Sequence, residues 1–215
     1  MNKTFWAIVG IIVIVFGGIL LLKDEKPAAS NASDAKPTNH LIGNNTTNVT
    51  LVEYGDYQCP FCGTFYPTVK QVQEKYADKI AFQFRNLPLL QIHKNAFAAA
   101  RAAEAASLQN KFWEMHDLLY TNQNVWSAAP NPNSVFEQYA NQLGLNVAQF
   151  KTDAAGDKVN DTINADVAEF NKTKERTSTP TFFINGKKAN VENTVDSFSK
   201  AIDAEIKKQA EAKKP

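Results

Sequence analysis

The chain is poor in cysteine and histidine: among 215 residues there are two cysteines, Cys59 and Cys62, and three histidines. A zinc site needs four ligands. There is no second cysteine pair, and His40, His93 and His116 lack the close spacing of a ligand pair, so a metal centre finds no support. An excess of charge of one sign is also missing, since 23 Lys and Arg face 22 Asp and Glu for a formal net charge of +1. That balance, without a basic patch interleaved with aromatics, argues against nucleic acid as the partner. Neither a sequence repeat nor a phosphate-cradling glycine loop is visible. No cysteine follows directly on the apolar run at 5–22, which excludes a lipid attached through sulfur.

That run, FWAIVGIIVIVFGGILLL, is eighteen residues without a charge or a proline. It is long enough to approach the span of a bilayer core and reads as a transmembrane signal anchor. Residues 1–4 form a short cytoplasmic start, because a short basic stretch before a first hydrophobic segment usually stays inside, and the remainder is then exported. A cleaved signal peptide is the competing reading, given Ala28, Ala29 and Ala32, although its apolar region is ordinarily shorter. Residues 23–46, rich in Ala, Ser, Asn, Thr and Pro, read as a flexible polar tether with too few large apolar residues for a core. About 165 residues remain, enough for one domain.

Within that domain the cysteines sit two residues apart, in Glu53-Tyr54-Gly55-Asp56-Tyr57-Gln58-Cys59-Pro60-Phe61-Cys62. The apolar run 49–54 predicts a buried strand and 61–76 a helix, which puts Cys59 at the turn between them. Pro60 suits a first helical turn, where its missing N–H has no partner to lose. Cys59 is then the N-cap, with the Cys62 N–H directed back at its sulfur. Helix N-termini favour anions, and in such motifs a thiol pKa falls from about 8.5 to between about 3.5 and 7.5. A purely structural disulfide is a weaker account, since so short a loop removes little entropy from the unfolded chain. A redox-active dithiol remains, with Cys59 attacking and Cys62 resolving.

Beyond the cysteine helix, Ile80, Phe82 and Phe84 alternate with polar residues and predict a strand over 79–86, parallel to the first. Pro67 is expected to kink the helix between them. The next hundred residues read as helical. Residues 94–120 form an Ala-rich helix with Leu108, Phe112, Met115 and Leu119 on one face, and Trp113 and Trp126 read as core. Ser134 to Glu137 reads as a capping box for a helix ended by Gly144, and Val159, Ile163, Val167 and Phe170 mark another. His93 and His116 receive no role. Residues 181–184 form a β-rich run, Asn185-Gly186 signals a hairpin, and 187–191 return. Val195, Phe198, Ile202 and Ile206 mark a closing helix, with 208–215 as a fraying tail.

The segment 53–62, then His93-Lys94-Asn95-Ala96 opening an Ala-rich helix, then Thr179-Pro180-Thr181-Phe182-Phe183-Ile184-Asn185-Gly186, resembles the membrane-anchored DsbA-like proteins of bacteria. The resemblance covers roughly 47–207. It implies an α/β thioredoxin fold with a helical domain inserted at about 90–175, preceded by one N-terminal transmembrane helix. It implies Cys59 as nucleophile and Cys62 as resolving thiol, flanked by Pro60 and Phe61, with no cofactor beyond the pair itself. Pro180 would be cis beside the sulfurs, Thr179 would offer backbone groups to an extended substrate, and Glu53 would relay or tune a proton at Cys62. Phe61 departs from the best-known members, which carry His there; phenylalanine can donate neither charge nor hydrogen bond. The function implied is an extracytoplasmic oxidase, tethered to the membrane and monomeric, that introduces disulfides into extended exported polypeptides. It would be reoxidised by a DsbB-like or VKOR-like membrane partner. A tethered reductase, or less readily an isomerase, is the alternative; a non-catalytic peptide-binding module is another.

Overall fold

The computed structural model describes residues 35–212. The expected anchor at 5–22 and the first half of the expected tether, 23–34, lie outside the described residues. Among the described residues no helix is long and apolar enough to cross a membrane.

A five-stranded sheet carries the fold, in the order β1-β3-β2-β4-β5: β1 is His40–Ile42, β2 Thr50–Gly55, β3 Ala81–Asn86, β4 Thr181–Ile184 and β5 Lys187–Ala189. β2 and β3 are parallel, joined through α1 (Pro60–Tyr76); every other pairing is antiparallel. Between β3 and β4 six helices intervene, α2 (Ala96–Ser107), α3 (Phe112–Thr121), α4 (Gln123–Trp126), α5 (Asn133–Gln142), α6 (Val147–Ala155) and α7 (Asp157–Lys172); α8 (Val195–Ala212) closes the chain. This is a thioredoxin-like sheet with a helical insertion.

Both faces of the sheet are covered, which is why β2 and β4 read as near-continuous apolar runs. On one face Phe182 meets Phe198 of α8 edge to face at 4.9 Å. On the other, Tyr54 meets Phe170 of α7 at 5.1 Å, within a small second core that includes Leu87 and Phe183. Side chains alternate along a strand. Since Leu51 belongs to the main core and Tyr54 to the second, Glu53 points into the main core, and it is 3% exposed. Asn185 and Gly186 turn the β4–β5 hairpin with φ of 48° and 75°, the left-handed pair that a two-residue hairpin turn demands.

Several expectations need correction. The tether was expected to run to residue 46, but β1 lies within it and pairs with β3. Thr38 donates its N–H to Asp166 at 2.8 Å and its hydroxyl to Glu104 at 2.9 Å, while His40 stacks on Phe112 with ring centroids 3.6 Å apart. Buried carboxylates brought from α2 and α7 give this segment its partners, so it joins the domain although its own apolar residues, Leu41 and Ile42, stay exposed. The single helix expected over 94–120 is two, because Asn110 adopts a left-handed φ of 60° and Lys111 N–H closes back on Ala106 O. Leu108 therefore leaves the buried stripe and is exposed. The expected capping box is absent: α5 starts at Asn133, whose N–H is held by the Asn131 side chain. The return strand β5 ends at Ala189, and α8 continues to Ala212 through residues expected to fray.

Candidate active site

Sheet register brings the two informative segments together. Tyr54 pairs with Thr181, so the residues following β2 and those preceding β4 leave the same edge side by side. The turn after β2 holds Cys59 as N-cap of α1, with φ −66° and ψ 121° and Pro60 as the first helical residue. The segment before β4 holds the Thr179–Pro180 peptide, which is cis. Cys59 Sγ lies 3.5 Å from the Thr179 carbonyl oxygen.

Both cysteines are present as free thiols, Cys62 fully buried and Cys59 4% exposed. Their environments separate them. The Cys59 thiol is pulled down to about 5, first by a hydrogen bond from the Cys62 thiol, then by the Thr179 side chain and the backbone N–H groups of Cys62 and Phe61; burial opposes them. Thr179 Oγ1 is buried and has no hydrogen-bond partner among the described residues. Burial pushes Cys62 well above the usual thiol range, and the neighbouring Cys59 and Glu53 add to this. The Asp56 N–H, 3.5 Å from Cys62 Sγ, works the other way. Glu53, buried beneath the pair, is raised to about 8, chiefly by burial and further by Cys59. A thiolate at Cys59, a thiol at Cys62 and a protonated Glu53 coexist at neutral pH.

Phe61 is 71% exposed and supplies the sulfur with its backbone N–H, so the missing imidazole is replaced in part by main-chain donors. Its ring forms one wall of a groove of about 280 Å³ along Pro180, with Phe65, Thr179, Phe182 and Val191 among the other walls. Another cavity, of about 250 Å³, opens among Ala102, Phe136 and Phe150, but no residue of the cysteine loop lines it.

The loop between β2 and α1 has supports that sequence reasoning missed. Asp56 is buried and accepts the N–H groups of Gln58 at 2.7 Å and Leu89 at 2.8 Å, and it pairs with His93 Nδ1 at 2.7 Å. Gln58 accepts the Asn95 N–H at 2.6 Å and donates to Ser127 O at 2.8 Å. The clue in the sequence was that Asp56, Gln58, His93 and Asn95 all lie inside the segments carrying the resemblance. His116 is a satisfied core histidine, hydrogen-bonded to Tyr57 Oη at 3.0 Å and held neutral by burial, which lowers it to about 3. Among the described residues no cluster of His, Cys, Asp and Glu suits a metal ion.

A thioredoxin sheet with a helical insertion, a Cys-x-x-Cys pair at a helix N-terminus and a cis-proline segment beside it define the DsbA-like class of thiol:disulfide oxidoreductases. Residues 35–204 match the profile of the family described as Thioredoxin, and the chain belongs to that family. A Bacillus cereus protein named "Probable disulfide bond formation protein D" is 31% identical over 207 residues, 92% of this chain and 93% of that protein. A Mycolicibacterium gilvum protein named "Na(+)/H(+) antiporter NhaA 1" is 36% identical over 77% of this chain, which spans only 26% of that protein's length. Among solved structures, oxidised BdbD from Bacillus subtilis matches with a TM-score of 0.66 and 22% identity, over 80% of this chain and 97% of that one. Wolbachia pipientis alpha-DsbA1 matches with a TM-score of 0.69 and 19% identity, over 85% and 99%. The structural likenesses speak to the fold.

Proposed function

We propose that the chain is a thiol:disulfide oxidase that introduces disulfides into extended, exported polypeptides. The observation that carries this reading is the split between the sulfurs, with Cys59 held as a thiolate near pKa 5 and Cys62 held as a thiol. A stabilised thiolate favours the dithiol form, so the Cys59–Cys62 disulfide is the stronger oxidant.

In the forward direction a substrate thiolate attacks Cys59 Sγ, the less buried sulfur. The Cys59–Cys62 bond breaks, a mixed disulfide forms, and Cys62 departs. A leaving group with so high a pKa needs a proton, and protonated Glu53 beneath it supplies one. A second substrate thiolate then attacks the substrate sulfur of the mixed disulfide, and Cys59 leaves as the stabilised thiolate. Two electrons pass from the substrate to the pair; one substrate proton ends on Cys62, with Glu53 reprotonated from solvent, and the other is released. The substrate backbone lies in the groove along Pro180, where Thr179 can pair with an extended chain.

The pair itself is the only redox centre the reaction needs. Residues 5–22 anchor the protein, the domain works monomerically on the extracytoplasmic side, and a DsbB-like or VKOR-like membrane protein takes the two electrons. The name of the Bacillus cereus relative, which speaks of disulfide bond formation, supports the oxidative direction. The test is the reduction potential of the full chain, equilibrated in glutathione buffers and read by thiol trapping. A value well above about −200 mV supports an oxidase, and one near about −270 mV overturns it in favour of a reductase. A Cys59→Ser variant that kept its function in the host would instead leave a binding module.

A further inference from the structure

The helical insertion reaches into the cysteine loop through one side chain. Gln123, the first residue of α4, donates from Nε2 to the carbonyl of Tyr57 at 2.7 Å and to that of Cys59 at 2.9 Å. The Cys59 carbonyl also accepts the first helical hydrogen bond, from the Gly63 N–H at 3.1 Å. The nucleophile's own peptide is thus gripped from α1 on one side and from the insertion on the other.

A second observation is independent of those bonds. Gly63 lies inside α1, where glycine is among the poorest helix formers. A Cβ added there would sit 2.5 Å from Gln123 Oε1 and 3.0 Å from its Cδ. The Gln123 amide can move aside, but only by leaving the two carbonyls. The glycine keeps open the space through which Gln123 reaches the loop.

We propose that Gln123 is a positioning residue for Cys59, and that Gly63 is glycine because Gln123 must pass. By fixing the Cys59 carbonyl, Gln123 holds the N-cap in its extended conformation, so that the sulfur stays against the N–H groups of Phe61 and Cys62. Its N–H dipole also places positive partial charge beside the nucleophile. The proposal rests on Cys59 being the reactive sulfur, but it does not depend on the direction of electron flow.

The test uses the full chain in mild detergent and follows the ultraviolet absorbance of the thiolate against pH. Gln123→Met keeps the bulk and removes the donors. It is expected to raise the Cys59 pKa by about half a unit to one unit, the equivalent of one ordinary hydrogen bond. Gly63→Ala should produce the same rise and lower Tm, because the alanine displaces the amide. In a Gln123→Ala background the sign reverses: Gly63→Ala then raises Tm by about 2 °C through better helix propensity and leaves the Cys59 pKa unmoved. Gln123→Met with an unchanged Cys59 pKa overturns the proposal even if stability falls, and so does an equal effect of Gly63→Ala in both backgrounds. A low reduction potential would remove the oxidase reading and leave these comparisons intact.

Discussion

The pH dependence of the reduction potential reports directly on how the two sulfurs are held apart. Cys59 ionises near 5, chiefly because the Cys62 thiol donates to it, and Cys62 is driven far above the usual range. Above pH 5, therefore, reducing the disulfide takes up one proton per two electrons. One proton is worth about 30 mV per pH unit in a two-electron couple, and two protons about 59 mV. From about pH 5 to 7 the potential should fall by about 60 mV, where two ordinary thiols would lose about 120 mV. The difference is equivalent to about 2.7 kcal/mol in favour of the dithiol form at neutral pH. The slope depends only on Cys59 ionising at the lower end of the measured range.

Glu53 bends that line. It sits at about 8 in the dithiol form, first through burial and then through the Cys59 thiolate. Forming the disulfide removes the thiolate and lowers Glu53. Between its two values, reduction adds a proton to Glu53 and the slope steepens from about 30 towards about 59 mV per unit. Glu53→Gln should give about 30 mV per unit throughout. Equilibration against dithiol buffers at several pH values, read by thiol trapping, measures both proteins. A slope of about 59 mV in Glu53→Gln near pH 6 would mean that Cys59 is an ordinary thiol and would refute the reasoning. Identical lines for the two proteins would refute the coupling to Glu53.

Other consequences are open to measurement. Asp166 is fully buried and raised to about 6, mainly by burial, from an ordinary 3.8. Its folded value lies above its unfolded one, so its contribution is complete below about pH 4 and is lost as pH rises through 6; Asp166→Asn should flatten that part of a denaturation profile. Trp126 is completely buried and donates its indole N–H to Leu119 O at 2.8 Å. Trp126→Ala should cost about 3–5 kcal/mol in urea denaturation. Gly186→Ala has open space for its Cβ but keeps a φ of 75°. Its cost should be about 1 kcal/mol, all of it backbone strain, and removing neighbouring side chains should not relieve it.

The local chemistry of the site was legible because it is written in contiguous residues. Cys59, Pro60 and Cys62 specify a thiol at a helix N-cap whatever surrounds them, and Asn185-Gly186 specify a hairpin, since both depend on backbone geometry within a few positions. Alternating Phe82 and Phe84 marked a strand for the same reason. The long-range partners were not legible. Nothing in a short stretch such as 38–42 says that Glu104 and Asp166 will be waiting for it, so a β-strand was taken for tether. The break that left-handed Asn110 makes in one apparent helix was not legible, because the Ala-rich pattern carried no helix-stopping residue stronger than asparagine. What tertiary structure alone decided is which sulfur is ionised and why. Burial raises Cys62 and Glu53, the β2–β4 register sets Thr179 against Cys59, and side chains from the insertion hold the loop still. Each is a contact between residues distant in the chain, and desolvation and hydrogen bonding act only once folding has brought those residues together.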